Sequence, residues 1–150
     1  MKRKTHIQQT EPYRWDDIPV LAYKEEGGTH FKAISRQVLF GGGEPLGAEL
    51  RYFEIAPGGY STLERHEHVH SVMVVRGSGQ VMVGREIHHL ALNSLVYIPS
   101  LTWHQFRATS SEPLGFLCLV RWDRDKPQRP TSADLESLRA DAAVGPFIRT

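Results

Sequence analysis

A glutamate and three histidines stand at alternate positions in the stretch TLERHEHVHSVMVVRGSG: Glu64, His66, His68 and His70. Successive side chains of an extended strand point to opposite faces, so this spacing predicts that all four share one face. Imidazole and carboxylate suit Zn, Mn, Fe, Co and Ni, and the lack of thiolate argues against a structural zinc site. A solvated strand is the alternative, but packing gains nothing from three adjacent titratable rings. We therefore favour a metal site.

A fourth histidine, His104, lies in the later stretch NSLVYIPSLTWHQF, after a candidate strand and a proline turn. The apolar run VMVV that follows the first cluster predicts a strand that passes from a polar mouth into a buried interior. A metal site at this mouth needs elements that bring His104 to the first three histidines.

Those elements are predicted to be short strands, because extended segments alternate with turn signals such as GGGEPLG, APGGY, RGSG and SSEP. The lack of any internal repeat of 20 to 50 residues argues against a solenoid or a propeller. About eight short strands in one domain indicate a sandwich or a small barrel. The candidate strands are Phe31–Phe40, Glu49–Ala56, His66–Arg76, Gln80–Val83, Glu86–Leu90, Leu95–Ile98, Trp103–Thr109 and Leu114–Arg121.

The two ends of the chain differ from this middle. Residues 1–30 are predicted to form an irregular N-terminal arm, residues 31–122 the barrel, and residues 123–150 a proline-broken linker with one short helix. In SADLESLRADAA, Leu135, Leu138 and Ala142 fall on one helical face, and Thr131 and Asp134 have capping-box spacing.

Composition limits the function classes. The chain has 150 residues, 40% of them hydrophobic, and a formal charge of +1, which gives no field that would attract nucleic acid. No apolar segment follows the basic start and no 18-residue apolar run exists, so we expect a cytoplasmic protein without a membrane span. The single cysteine, Cys118, excludes an internal disulfide.

At these motifs the sequence resembles the cupin family. The first cupin motif is matched at three-residue spacing by Gly58, Glu64, His66, His70 and Gly77, with its first histidine replaced by Glu64 and its glutamate by His70. The second motif is matched by Pro99 and His104, whereas Asn93, Leu101 and Ala108 depart from it.

The resemblance implies an all-β double-stranded β-helix, a jelly-roll barrel with one divalent metal ion in its open end. Carried over by position, the ligands are Glu64, His66, His70 and His104. In a competing register His66 and His68 form the His-x-His pair, and His70 becomes a third or outer histidine. Manganese is the expected ion, followed by Fe, Zn, Ni or Co. Such a ligand set leaves coordination positions for water or substrate, as Lewis-acid catalysis requires.

Other residues near the motifs are candidates for substrate binding. The predicted pocket walls are Tyr97, Trp103, Gln105 and Phe106. The arginines considered for an anionic substrate group are Arg51, Arg65 and Arg107, since arginine binds carboxylate or phosphate with two donors.

Cys118 shares a strand face with Phe116 and Val120, and a buried, inert cysteine is the default for such a position. Among small cupins, the segments around the histidines and Cys118 resemble a manganese-dependent group that includes methylthioxylulose-phosphate methylsulfurylases. That likeness implies a thiol-assisted lyase that releases a methylthio group from a sugar phosphate, with Cys118 as a catalytic thiol beside the metal.

Two alternatives stay open at this point: an iron-dependent dioxygenase or decarboxylase of small acids, and a non-catalytic metal- or ligand-binding sensor. The expected partners are a small-molecule substrate and a second copy of the chain. Cupin barrels commonly pair through edge strands, and the N-terminal arm is the predicted contact of such a homodimer.

Overall fold

The computed structural model describes residues 4–43 and 45–150. Within them the chain forms eleven strands and one helix. The strands are β1 Gln9–Glu11, β2 Arg14–Trp15, β3 Leu21–Ala22, β4 Lys32–Phe40, β5 Ala48–Tyr60, β6 His70–Arg76, β7 Gly79–Val83, β8 Glu86–Leu90, β9 Leu95–Ile98, β10 His104–Arg107 and β11 Leu114–Arg121, and the helix is α1 Ser132–Ala140.

Nine of the strands form one curled antiparallel sheet. Seven follow the order β8-β7-β10-β5-β11-β6-β9, and in addition β4 pairs with β5 and β3 pairs with β4. The long strand β5 connects its two halves: it pairs with β11 from Ala48 to Ile55, and Tyr60 pairs with Arg107 of β10. The predicted all-β barrel with one short C-terminal helix is confirmed.

The register of β5, β11 and β6 decides what faces the interior. Cys118 lies between Arg51 and Val72, and Phe116 lies between Phe53 and Val74. Directly paired residues share a face of the sheet. These residues therefore point together into the barrel, where most of the main hydrophobic core lies.

A second apolar cluster lies outside the main core and is covered by α1 and the C-terminal residues. Its buried members are Leu63, Met82, Leu138, Val144, Phe147 and Ile148. The predicted capping box is present: the Thr131 hydroxyl accepts from the Asp134 N–H, and the Asp134 carboxylate accepts from the Thr131 N–H. Leu138 is buried as predicted, whereas Ala142 is exposed and lies beyond the end of the helix.

The N-terminal arm is more regular than predicted. Beyond residues 1–3, which lie outside the described part, β1 pairs with β2 and β3 pairs with β4. Tyr13 stacks on Tyr52 with ring centroids 5.5 Å apart, and Trp15 meets the same ring edge-on. The arm therefore covers the outer face of β5 in its own chain, because these aromatic side chains bury surface there.

One strand prediction is wrong. The segment His66–Arg76 is a strand only from His70 onward, and the chain bends at Glu67 and His68. The bend forms because the Asp125 carboxylate accepts hydrogen bonds from the backbone N–H groups of both residues, at 2.8 and 2.9 Å. The alternate residues therefore do not lie on one flat strand face.

The other strand predictions hold apart from their ends. The strand expected to end at Ala56 continues to Tyr60, and the one expected to start at Trp103 begins at His104. In the described part of the chain no helix is both long and apolar enough to cross a membrane.

Candidate metal site and its cavity

Three histidines converge at the mouth of the barrel. The potential ligand atoms of His66, His70 and His104 all lie within 4.8 Å of one another. His66 lies in the bend before β6, His70 begins β6 and His104 begins β10. The backbone of His104 exchanges two hydrogen bonds with that of Glu64, at 3.0 and 3.2 Å, which fixes β10 beside the histidine-bearing segment.

Hydrogen bonds set the orientation of two of these rings. His66 Nδ1 donates to the carbonyl oxygen of His68 at 2.7 Å, and His104 Nδ1 donates to that of Thr102 at 2.9 Å. Each bond leaves the Nε2 lone pair free, which is how metal-ligating histidines are usually held. The Nε2 atoms of His66 and His70 are buried and have no hydrogen-bond partner. Buried polar atoms rarely lack partners, so the triad fits a divalent metal ion.

Burial keeps these rings neutral. It lowers the pKa of His66, lowers that of His70 well below its ordinary value, and lowers that of His104 to about 4. For His70, the charges of His104, His66 and Arg51 lower the pKa further. Metal ions bind the neutral form of imidazole, so the triad is in its ligating form at neutral pH.

Glu64 and His68 lie beside the triad but are engaged elsewhere. Lys24 Nζ donates to Glu64 Oε2 at 2.5 Å, in an ion pair whose two side chains are largely buried. His68 stacks on His66 with ring centroids 3.6 Å apart, and its Nδ1 bonds Asp125 Oδ1 at 2.6 Å. Coordination by Glu64 or His68 stays a prediction.

The triad opens into a cavity of about 530 Å³ inside the barrel. The deep wall is aromatic: Phe53, Phe106 and Phe116 line the cavity and are 6%, 3% and 4% exposed. The outer wall is charged, with more cations than acidic residues, and is supplied by the arm, which includes Glu25 and Glu26, by β4 and by the linker that precedes α1. Its cations are Lys24, Arg36, Arg124, Lys126 and Arg129.

Arg51 and Cys118 face each other across β5 and β11 inside this cavity. Arg51 is 8% exposed, and its Nη2 lies 3.6 Å from Cys118 Sγ. The buried Nε of Arg51 has no hydrogen-bond partner. No carboxylate of residues 4–43 and 45–150 forms an ion pair with Arg51. Burial raises the pKa of the Cys118 thiol, while the nearby charge of Arg51 lowers it in part. The cavity thus holds a buried cation that lacks an anion.

The sequence pattern of the cupin domain matches residues 51–120. A protein from Rhodospirillum rubrum named 1-methylthio-D-xylulose 5-phosphate methylsulfurylase is 57% identical over 136 residues, which is 91% of this chain and 86% of the relative. The chain belongs to the cupin family. Its departures from the motif, Glu64 and His70, therefore occur within a true cupin barrel.

Solved cupin structures agree with this fold. A cupin 2 conserved barrel domain protein from Rhodopseudomonas palustris superposes with a TM-score of 0.91 at 51% identity, covering 97% of this chain and 100% of that one. A cupin-2 domain protein from Rhodospirillum rubrum gives a TM-score of 0.84 at 54% identity, covering 97% and 96% of the two chains.

In this cupin, Arg51, Phe106 and Cys118 reach the cavity, as do all the histidines and the glutamate predicted as ligands. Coordination by Glu64 or His68 and a role for Cys118 in catalysis are not tested by this placement.

Five other predicted or considered residues lie away from the cavity. Tyr97 is 61% exposed on β9, and Trp103 lies under the Arg65 guanidinium, 4.5 Å from its ring centroid. Gln105 is fully buried on the other side of β10, where it bonds the backbone of Ser61 and Arg149. Arg107 lies over the Phe147 ring and donates to its carbonyl oxygen. Strand alternation explains this result for Gln105 and Arg107, which point away from the face of His104 and Phe106.

Sequence reasoning missed several cavity residues. Phe53 and Phe116 carried a usable signal, because each lies two positions from Arg51 or Cys118 on the same strand face. Lys24 carried none, and neither did Asp125, which bonds His68 but does not line the cavity, since their contacts join segments that are distant in sequence.

Proposed function

We propose that this cupin removes the methylthio group from a 1-methylthio-ketopentose 5-phosphate with the help of a thiol, the activity that the name of the Rhodospirillum rubrum relative states for that protein. One observation carries the proposal: the histidine triad and the Arg51–Cys118 pair line the same cavity. A substrate with a ketone, a thioether and a phosphate matches a site that combines metal ligands, a thiol and cations.

His66, His70 and His104 would hold the ion through their Nε2 atoms, and manganese is our proposed metal. We propose Glu64 as the fourth ligand, because Lys24 engages only Oε2 and leaves Oε1 available. A divalent ion there supplies a Lewis acid for the substrate ketone. His68 supports His66 by stacking and by its bond to Asp125.

Cys118 supplies the thiol in this proposal. Its Sγ forms a bond to the thioether sulfur, the bond between that sulfur and C1 breaks, and the electron pair leaves on C1 as the enolate of the adjacent ketone. The thiol proton, which the raised pKa of Cys118 retains, is transferred to C1. The products are a 1-deoxyketose 5-phosphate and Cys118 as a methyl disulfide. A second, small thiol takes the methylthio group as a mixed disulfide and restores Cys118, so carbon is reduced and sulfur is oxidised.

The cations divide into two groups by depth. Arg51 is buried beside Cys118, with Nη2 3.6 Å from Sγ, where its charge favours the negative charge that develops on the enolate. Lys126 and Arg129 lie at the exposed mouth and form no ion pair within the described residues, so we assign the phosphate to them. Arg124 is occupied by Glu49 at 2.7 Å.

We also propose a cytoplasmic homodimer. The arm packs on its own barrel, so the outer face of β6, β9 and β11 is the better contact: Met73 and Leu95 are paired there, and Leu95 and Tyr97 are 77% and 61% exposed. Apolar patches of this kind commonly mark interfaces. Light scattering at micromolar concentration should give the mass of two chains, and a monomer would contradict the proposal.

The test is turnover of 1-methylthio-D-xylulose 5-phosphate by the manganese-loaded protein with a small thiol. Mass spectrometry should find the 1-deoxyketose phosphate and the methyl disulfide of the thiol. With the second thiol omitted, intact-protein mass spectrometry should show one methylthio group on Cys118. Cys118→Ser should abolish the two products and the methylthio adduct on the protein.

His89→Ala is the matched control, because His89 is exposed on β8 and lies outside the cavity lining. It should behave as wild type. Lack of product with the metal-loaded wild type would overturn the proposal, and full activity of Cys118→Ser would overturn the thiol step. Substrate loss that depends on iron and consumes oxygen would instead identify a dioxygenase.

A further inference from the structure

The deep end of the cavity is formed by three nearly parallel aromatic rings, which we call the aromatic floor: Phe53, Phe106 and Phe116. The ring centroids of Phe106 and Phe116 are 4.3 Å apart with an interplanar angle of 19°, and those of Phe53 and Phe116 are 5.5 Å apart at 24°. All three belong to the hydrophobic core and also line the cavity. The floor therefore offers an apolar surface to a ligand.

The floor lies directly beside the thiol. Cys118 and Phe116 are two positions apart on β11, opposite Arg51 and Phe53 on β5. On an antiparallel pair, these four side chains share one face, with neighbours about 5 to 7 Å apart. The Arg51 guanidinium lies 4.9 Å from the Phe53 ring centroid. A group that rests on the floor is thus held next to Cys118 Sγ.

We propose that the aromatic floor is the binding subsite for the methylthio group and sets the specificity for it; this inference rests on the proposed function. A thioether is apolar and polarisable, and sulfur makes favourable contacts with aromatic rings. A hydroxyl at the same carbon would be buried there without a hydrogen-bond partner. The floor thus selects a 1-methylthio sugar over the parent ketose phosphate, and the packed core around the three rings limits the length of the alkyl chain.

The opposite end of the cavity supports this orientation. Lys126 and Arg129, which form no ion pair within residues 4–43 and 45–150, lie at the exposed mouth, whereas the floor residues are almost fully buried. A ligand with an apolar C1 end and a phosphate at C5 fits this arrangement in one orientation, with C1 on the aromatic floor and the phosphate beside the exposed cations. The triad lines the same cavity, and in this orientation the ketone is the group of the ligand that would face it.

The experiment compares binding of three compounds by calorimetry: 1-methylthio-, 1-ethylthio- and 1-hydroxy-D-xylulose 5-phosphate, the last being xylulose 5-phosphate itself. Binding is measured in the Cys118→Ser background, in which no methylthio group can be transferred to the protein, and kcat/KM is measured with Cys118 present and a second thiol added. With the floor intact, the protein should prefer the methylthio compound over the hydroxy compound by about tenfold or more, as expected of an apolar pocket. Phe116→Leu should reduce that preference and should raise the ethylthio-to-methylthio ratio.

Phe147→Leu is the matched control, because Phe147 is also 6% exposed but lies in the second apolar cluster, outside the cavity lining. It should leave both ratios unchanged while lowering the melting temperature to a similar extent. If Phe116→Leu fails to fold, Phe53→Leu tests the same floor. The ratios do not depend on how much protein is folded.

Equal affinity for the methylthio and hydroxy compounds with the floor intact would overturn the floor as a methylthio subsite. So would ratios that stay unchanged in both floor variants, or that change as much in Phe147→Leu. Preferential binding of the methylthio compound without turnover would overturn the proposed function and leave the floor in place.

Discussion

Two neighbouring residues of β10, His104 and Gln105, are both buried, but their side chains point to opposite sides of the strand and differ in how their surroundings are hydrogen-bonded. Gln105 points to the second apolar cluster, and its amide donates to the carbonyl oxygens of Ser61 and Arg149 and accepts from the Arg149 N–H. His104 points into the cavity, where it joins two histidines whose buried Nε2 atoms have no partner.

The difference separates structure from function on one strand. A buried polar group whose bonds are all made stabilises the fold, whereas a cluster of buried groups left unpaired costs stability unless a ligand completes it. Arg107 and Arg51 repeat the contrast, since the first donates to Phe147 and the second has an unpaired Nε. Of the side chains with a buried atom that lacks a hydrogen-bond partner, Arg51, His66 and His70 line the cavity, whereas Gln37 and Glu49 lie outside its lining.

Among substitutions that test this contrast, the largest effect is expected from the replacement of His104. His104→Ala should lower metal content, measured by elemental analysis, to a small fraction of wild type. Activity should fall about a thousandfold, because the Lewis acid supplies several kcal/mol of stabilisation.

Gln105→Ala is its counterpart on the same strand. It should retain the metal but lower the free energy of unfolding by about 3 kcal/mol, since Ser61 and Arg149 lose their partner. Equal metal content in the two variants would contradict the assignment.

An intermediate effect is expected from the arginines. Arg51→Met removes a buried cation without a counter-ion, so the free energy of unfolding in urea should stay constant or rise. Activity should fall about a hundredfold, which corresponds to lost hydrogen bonds to a charged group. Arg107→Met should show the reverse, a loss of about 1 kcal/mol in stability with activity retained. Loss of stability without loss of activity in Arg51→Met would make Arg51 structural.

A smaller effect is expected at Asp125. The hydrogen bonds of this side chain are made within the protein, but they hold the segment that carries the metal-binding histidines. The Asp125 carboxylate holds the bend at Glu67 and His68. Burial raises the pKa of this carboxyl, but its hydrogen bonds to Glu67 and His68 together lower the pKa by more, so Asp125 is charged at neutral pH. Asp125→Ala should weaken metal binding in a competition titration by about tenfold, as loss of a supporting contact typically does. Asp123→Ala is the control, because in the described part of the chain Asp123 forms its ion pair with Arg121 at the surface. Unchanged affinity in Asp125→Ala would show that the bend is held by other contacts.

The histidine spacing was sufficient to predict the metal site but not its shape. His66, His70 and His104 could be selected because their types and positions match the cupin motifs. The prediction of a single extended face at residues 64–70 was wrong, since Asp125 bends the chain there from a linker more than 50 residues away. Gln105 was predicted as a pocket wall and Arg107 as an anion-binding residue, but strand alternation turns both side chains to the other side of β10.

The sequence by itself determined the class of this protein: strands and turns in the order of a cupin barrel, three histidines with ligand spacing, one cysteine and a capped C-terminal helix. These follow from local periodicity and residue chemistry, which act over a few positions. Only the tertiary structure decided that Lys24 holds Glu64, that Arg51 faces Cys118 without a counter-ion, and that three phenylalanines form a floor beside the thiol. Such contacts join strands and loops that are remote in the chain, and only the register of the closed sheet brings them together.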